Sequence, residues 1–378
     1  MRAFALVILS VHGIIHLLGF IKAFDLMKVE ELKSYISKRD GILWLLATLL
    51  LLLAAVLYSN DFICWWAVCA LGIAVSQFLI VKYWRDAKFG TIANLILILP
   101  VIITAADSLP IGYKEEFKSE VVKRISGEGR RGVVAFADIE HLPAPVQKYL
   151  IYTGAVGKPR VYNFRAVAEG EIKTAPDSKF LKYRSTQYNF IDNPARFYYI
   201  RSSLYGIPFE GLHTYADSGA VMRIKLASFF TVAEAKGEIM NKSETVTMFN
   251  DICLFAPAAL IDQKIEWFPV DSLTVDAFFE NAGIRIKARL YFNAKGELVN
   301  FESDDRYESA DGKTYVNYRW STPVKDYRNF GEAKLASYGE AVWHKPEGKF
   351  VYAKMRLKEI VCNTREYVPI KNELFLNF

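Results

Sequence analysis

Cysteine is scarce, with four in 378 residues. Cys64 and Cys69 are five apart in an apolar stretch and do not share a helical face. Cys253 and Cys362 lie in the second half, where spacing leaves open whether they pair, so no disulfide framework organises the chain. Also missing are the HExxH pattern, a G-x-S-x-G elbow, a Walker loop and a CxxC pair. No metal and no cofactor is therefore predicted. The segment "GEGRRG", Gly127–Gly132, matches G-x-G-x-x-G letter for letter, but no apolar strand precedes it and no helix of a βαβ unit follows. Its arginines, with Lys123 and Arg124, suit anionic headgroups or a solvated linker equally well. The net charge of +6 is modest and largely sits in loops next to apolar runs, so nucleic-acid binding is not predicted.

Long uncharged runs are absent after residue 110 and abundant before it. Ala3–Ile21, Ile42–Tyr58, Phe62–Val81 and Thr91–Ala106 each approach the roughly 17–20 apolar residues that a bilayer crossing requires. The first lacks a small-residue cleavage site, and it reads as a retained span rather than a secretory signal. Lysines and arginines crowd two of the loops: Lys22, Lys28, Lys33, Lys38 and Arg39 in one, Lys82, Arg85 and Lys88 in the other. The positive-inside rule makes both cytoplasmic, which puts the C-terminal part outside the cytoplasm of a multi-pass inner-membrane protein. The expected domains are a four-helix module over 1–107, a membrane-proximal connector over 108–135 and an exported domain over 136–378.

In that last part the hydrophobic period is two. Ile284, Ile286, Ala288, Leu290 and Phe292 alternate with Arg285, Lys287, Arg289 and Tyr291, and Val351, Ala353, Met355 and Leu357 alternate with polar neighbours. Such strands bury one face, as in antiparallel sheets with a wet side. Helical signals interrupt twice. Residues 143–153 carry Pro145 in a first turn and Gly154 as a stop, and 243–262 place Ser243 as a cap before a stripe of Val246, Phe249, Ile252 and Cys253.

"LPAPVQKYL" with Gly154 and Pro159, "GEIMNKSETVTMFNDICLFAPAAL" and "FVYAKMRLKEIVCN" resemble an uncharacterised bacterial membrane-protein family with a C-terminal domain of unknown function, whose members carry a four-span module with "HGIIHLLGF". More loosely, the exported part resembles lipoprotein-carrier half barrels. That resemblance implies a mainly-β (α+β) fold in which a curved antiparallel sheet wraps an apolar cavity under short helices.

His12 and His16 stand one helical turn apart in the first run. With Gln77 and Asn94 they are expected to form an intramembrane polar cluster, His16, Gln77 and Asn94 meeting at one depth, because lipid offers such groups no partner. A ligand or proton pathway and a metal site are the alternatives. In the exported domain Tyr162, Phe164, Tyr199, Tyr205, Trp267 and Phe279 are the candidate pocket residues, since apolar ligands are held by aromatic surface. Export topology with one-faced, aromatic-rich strands predicts a binder or carrier of a lipid-like or lipoprotein-acyl ligand. An envelope hydrolase using Glu302 and Asp304, or a structural or regulatory partner of another membrane protein, is the alternative.

Overall fold

Among the described residues, those up to Gly112 form helices and the loops between them, and those from Tyr113 onward form a sheet with helices packed on it. The structure is a computed structural model that describes residues 2–62, 64–108, 112–125, 132–204, 207–217, 219–227, 229–309, 311–331 and 333–370.

The helical unit contains α1 (Arg2–Ala23), α2 (Lys38–Ser59), α3 (Trp65–Lys82), the single turn α4 (Trp84–Ala87) and α5 (Gly90–Ser108). The first three are long and apolar enough to cross a membrane. The fourth run, read as an equal span, forms a shorter apolar helix over Gly90–Ala105 with Pro100 inside it. Helices α1 and α2 touch at small residues: a Cβ on Gly19 would lie 2.2 Å from the Trp44 ring, so only hydrogen fits there. Asp40 near the start of α2 takes Lys82 at 2.8 Å and the Tyr83 hydroxyl at 2.7 Å, tying it to the end of α3. Facing outward, Val7, Val11, Ile14, Leu49, Leu53 and Val56 are 48–58% exposed. Water penalises an apolar surface of that extent and lipid does not.

The β unit begins with α6 (Tyr113–Ile125) and α7 (Ala144–Tyr152), the latter stopped by Gly154 at φ 75°. Six strands follow: β1 (Asn163–Ile172), β2 (Leu181–Phe190), β3 (Ala195–Leu204), β4 (Ile207–Ala216), β5 (Gly219–Leu226) and β6 (Phe230–Lys236). Helix α8 (Glu238–Phe255) and a 3-10 turn, Pro257–Asp262, lead to β7 (Ile265–Pro269), β8 (Thr274–Asn281), β9 (Ile284–Phe292) and β10 (Leu298–Ser303). A small hairpin of β11 (Tyr307–Glu308) and β12 (Val316–Asn317) precedes β13 (Arg319–Ser321), β14 (Val324–Phe330), β15 (Ala333–Lys345) and β16 (Gly348–Cys362). Fourteen of these make one antiparallel sheet in the order β6-β5-β4-β3-β2-β1-β16-β15-β13-β10-β9-β8-β7, with β14 beside β15. The sheet is curved and open, and its edges are β6 and β7. Because β6 runs into α8 and α8 leads to β7, the connection between the two edges crosses the concave face.

That face carries the larger core. Phe164, Phe279, Leu290, Phe301 and Trp320 project from the strands toward Val246, Phe249, Ile252 and Phe255 of α8. Every residue of α8 from Ser243 to Phe255 is buried, a wider contact than the predicted stripe, because the β11–β12 segment covers its far side. There the Tyr307 amide donates to Ser243 Oγ at 3.1 Å and Arg306 donates to Thr247 Oγ1 at 3.2 Å. Ser243 is therefore not the cap. The helix starts at Glu238, after Gly237 at φ 98°. On the convex face α6 lays Tyr113, Phe117 and Val121 against Tyr188, Phe197, Tyr199 and Leu212, so this part of the expected connector belongs to the sheet's packing.

Candidate functional site

Each unit buries a polar assembly that ties several elements together. In the helical unit His16 Nδ1–H donates to the His12 carbonyl at 2.8 Å, an i to i−4 bond that leaves its ring against Trp44, 5.1 Å between centroids. His12, not His16, makes the bond to Asn94: Nε2–H donates to Oδ1 at 3.0 Å. Asn94 Nδ2 then donates to Ser76 Oγ at 3.0 Å and to Gln77 Oε1 at 3.0 Å, and Gln77 Nε2 donates to Thr91 Oγ1 at 3.2 Å. Ser76 and Thr91 extend the set read from the sequence. Among the described residues no group of three or more His, Cys, Asp or Glu could hold a metal ion. The chain of bonds joins α1, α3 and α5.

In the β unit the assembly is charged. Arg196 on β3 donates from Nε to Asp251 at 2.6 Å and from Nη1 to Glu244 at 3.0 Å. Gln187 and Asn189 on β2 also donate to Asp251, at 3.0 and 3.3 Å, and His213 on β4 lies 3.5 Å from Glu244. Arg196, Glu244 and Asp251 are 5%, 2% and 6% exposed, so water solvates none of them effectively. Burial pushes the Glu244 carboxyl up, but the Arg196 charge and His213 outweigh it and bring it down to about 2. Arg196 is likewise opposed by burial and held protonated by Asp251 and Glu244. Glu244 and Asp251 are seven residues apart, two turns, and so on one side of α8.

The opposite side of α8 is aromatic. Phe249, five residues after Glu244 and roughly 140° round the helix, stacks on Phe279 at 4.8 Å with an interplanar angle of 10°. It meets Phe301 edge-on at 5.6 Å and lies 6.4 Å from Trp267, a half-buried residue of edge strand β7. Phe255, one turn after Asp251 and so on the acids' side of the helix, packs 6.1 Å from Phe164. Three of the aromatics singled out by sequence, Phe164, Trp267 and Phe279, thus share the α8 core. Tyr199 does not: it stands on the convex face under α6 and donates to Glu210 at 2.8 Å. Register decides this, since Phe164 pairs with Asn189 and Asn189 with Arg196, which leaves Phe197 and Tyr199 on the other side. Tyr162 caps the end of the sheet, its amide donating to Asn363 Oδ1 at 3.0 Å. Tyr205 and residues 127–131 lie outside the described residues.

The two acids of the hydrolase alternative are engaged separately. Glu302 accepts from the Tyr291 hydroxyl at 2.8 Å and from Asn300 at 3.0 Å, while Asp304 pairs with Arg319 at 2.9 Å in an exposed position. Beside them Ser321 Oγ lies 2.8 Å from His344 Nε2, a serine–histidine contact that sequence reasoning missed. Ser321 is 3% exposed, out of a substrate's reach. The Arg196 network was also missed, although the seven-residue spacing of Glu244 and Asp251 was its one readable trace.

A family model described as "Family of unknown function (DUF6544)" matches residues 132–355. No curated protein matches the chain significantly. Among solved structures, a domain named for outer membrane lipoprotein sorting, from Vibrio parahaemolyticus, is similar over 57% of this chain and 89% of its own, with 11% identity and a TM-score of 0.34. A DUF1329 family protein from Desulfovibrio piger is similar over 58% and 92%, with 12% identity and a TM-score of 0.25.

Proposed function

Since the chain belongs to the family of unknown function DUF6544, we propose a function from its geometry: a membrane-anchored binder of an acyl chain, held between α8 and the concave face of the sheet. The supporting observation is the unequal attachment of α8. Toward β2–β4 it is fixed by directional, charge-assisted bonds from Arg196, Gln187 and Asn189. Toward β8–β10 it is held by ring contacts of Phe249 with Phe279 and Phe301 and by neutral bonds, Asn281 to Met248 Sδ at 3.8 Å and Thr322 to Asn250 at 2.6 Å. Apolar contact is non-directional, so a hydrocarbon chain replaces ring against ring at little cost, whereas nothing apolar replaces the ion pairs. The aromatic side is therefore where α8 gives way, and Trp267 on the β7 edge stands at its margin. The ligand is a membrane lipid or the acyl group of a lipoprotein.

The outward apolar surface of α1–α3 supports an anchor in the cytoplasmic membrane, and the basic loops after α1 and α3 support a β unit outside the cytoplasm. The test is photocrosslinking of full-length protein, in membranes fed a diazirine fatty acid, followed by peptide mapping. Adducts on α8 and on β7–β10 are expected. Adducts confined to α1–α5 sink the proposal.

A further inference from the structure

Every ladder of the large sheet is antiparallel, so the registers fix which turns share a rim. The turns closed by Ile172 and Leu181, Leu204 and Ile207, Leu226 and Phe230, and Lys345 and Gly348 lie on one rim. At this rim the β5–β6 hairpin presents Phe229, Phe230 and Val232, which are 45%, 68% and 58% exposed. Leu226 and Ile207 lie half-buried next to them. A bare apolar tip on an edge hairpin is an aggregation hazard in water unless something covers it.

Two further observations say what covers it. The first is charge. Lys173, Lys179, Lys182, Lys225, Lys345 and Lys349 stand in or beside these four turns, against Glu171, Asp177 and Glu347. The turns of the opposite rim carry Asp192, Asp217, Asp271 and Glu297, with Lys295 as their one lysine. The second is where the chain enters the unit. Tyr113, the first residue of α6, lies under Lys225, 4.2 Å from Nζ to the ring centroid, and under Arg223 at 5.1 Å. Lys225 pairs with Thr231 and Leu226 with Phe230, so the point of entry is at the apolar tip. Only residues 109–112 separate Tyr113 from the end of α5, a link of at most roughly 18 Å when extended.

We infer that this rim is the surface by which the β unit rests on the bilayer. Phe229, Phe230 and Val232 enter the boundary between headgroups and acyl chains, and the lysines lie over anionic headgroups. The inference rests on the reading of α1–α5 as membrane-embedded. It places these four turns, and not those carrying Asp192, Asp217, Asp271 and Glu297, against lipid.

The experiment uses the full chain carrying Cys64→Ser and Cys362→Ser, reconstituted in phosphatidylethanolamine–phosphatidylglycerol vesicles. An environment-sensitive fluorophore is attached at one of four positions: Phe230→Cys, Val232→Cys, Lys295→Cys on the opposite rim, or Leu95→Cys on the outward face of α5. Labels at 230 and 232 are expected to shift to the blue and to lose at least half their emission to lipids spin-labelled near the headgroup, with no such loss at 295. Quenching at 95 without quenching at 230 and 232 overturns the inference and leaves the embedding of α5 intact. Equal quenching at 230 and 295 overturns the choice of rim. Absence of quenching at 95 overturns the embedding itself, and the inference with it.

Discussion

Replacing Arg196 by Met removes the cation from between two buried carboxylates and tests whether the network fastens α8 to the sheet. Glu244 and Asp251 are 2% and 6% exposed, and Arg196 reaches both at 3.0 and 2.6 Å. Removing one partner of such a set leaves charge that neither water nor protein compensates, a loss of about 3–5 kcal/mol. In a unit of this size that corresponds to a melting temperature lower by roughly 6–20 °C. The pH dependence has a definite sign. In the native chain the Glu244 carboxyl lies below its ordinary 4.5, at about 2, so its contribution is complete above the unfolded value and is lost as pH falls through the folded one. Without Arg196, burial dominates and raises the folded value above the unfolded one. The variant then gains relative stability as pH falls. Melting of purified full-length protein in mild detergent, followed by circular dichroism at pH 7 and pH 5, measures both effects. The deficit should be large at pH 7 and smaller at pH 5. Adding Glu244→Gln and Asp251→Asn to Arg196→Met should restore more than half of it, since the uncompensated charges are then gone. A deficit under about 1 kcal/mol, the scale of an exposed pair, or one independent of pH between 5 and 7, refutes the reasoning.

Gly170→Ala places a Cβ 1.9 Å from the Lys354 carbonyl oxygen and 2.8 Å from the Tyr183 ring, so β1 and β16 must part at that point. A loss of about 1–3 kcal/mol is expected on thermal melting, and an unchanged melting temperature would show that the two strands do not approach as described. Asn94→Ala breaks the bonds that reach His12, Ser76 and Gln77. Unfolding of the helical unit in mixed micelles should become easier by about 1–2 kcal/mol, and an equal loss from Thr104→Ala, whose hydroxyl bonds only within α5, would remove the special standing of the cluster.

The local features of this fold were legible and the long-range ones were not. The alternation in β9 buries Ile286, Ala288, Leu290 and Phe292 as its period demands, and Gly154 stops α7 through a backbone conformation that glycine adopts freely. Ser243 looked like a helix cap because its type suits one, but its hydroxyl serves the amide of Tyr307, 64 residues away. Aromatic content marked a core without saying on which face each ring falls. Phe164 and Tyr199 were separated by the registers of β1–β2 and β2–β3, which no single strand encodes. The partner of Asn94 is His12, one helical turn before the His16 expected from the spacing. Arg196 has no sequence signature, since its partners come from a helix 48 and 55 residues further on.

The strand order also governs how the β unit is assembled. In the middle of the sheet β1 pairs with β16, the first strand with the last, so Phe164 meets Cys362. While the polypeptide is being made, β1–β6 can zip into successive hairpins, yet the other side of β1 waits for a partner about 190 residues downstream, Phe164 for Cys362 and Ile172 for Ala353. Non-local closure of this kind is slow. In the interval an unpaired strand carrying Phe164, Ala166 and Val167 is open to any other extended chain nearby. The β unit is thus most vulnerable between synthesis of β6 and that of β16, and loss of Val361 and Cys362 would leave Arg165 and Phe164 without their partners on that side of β1.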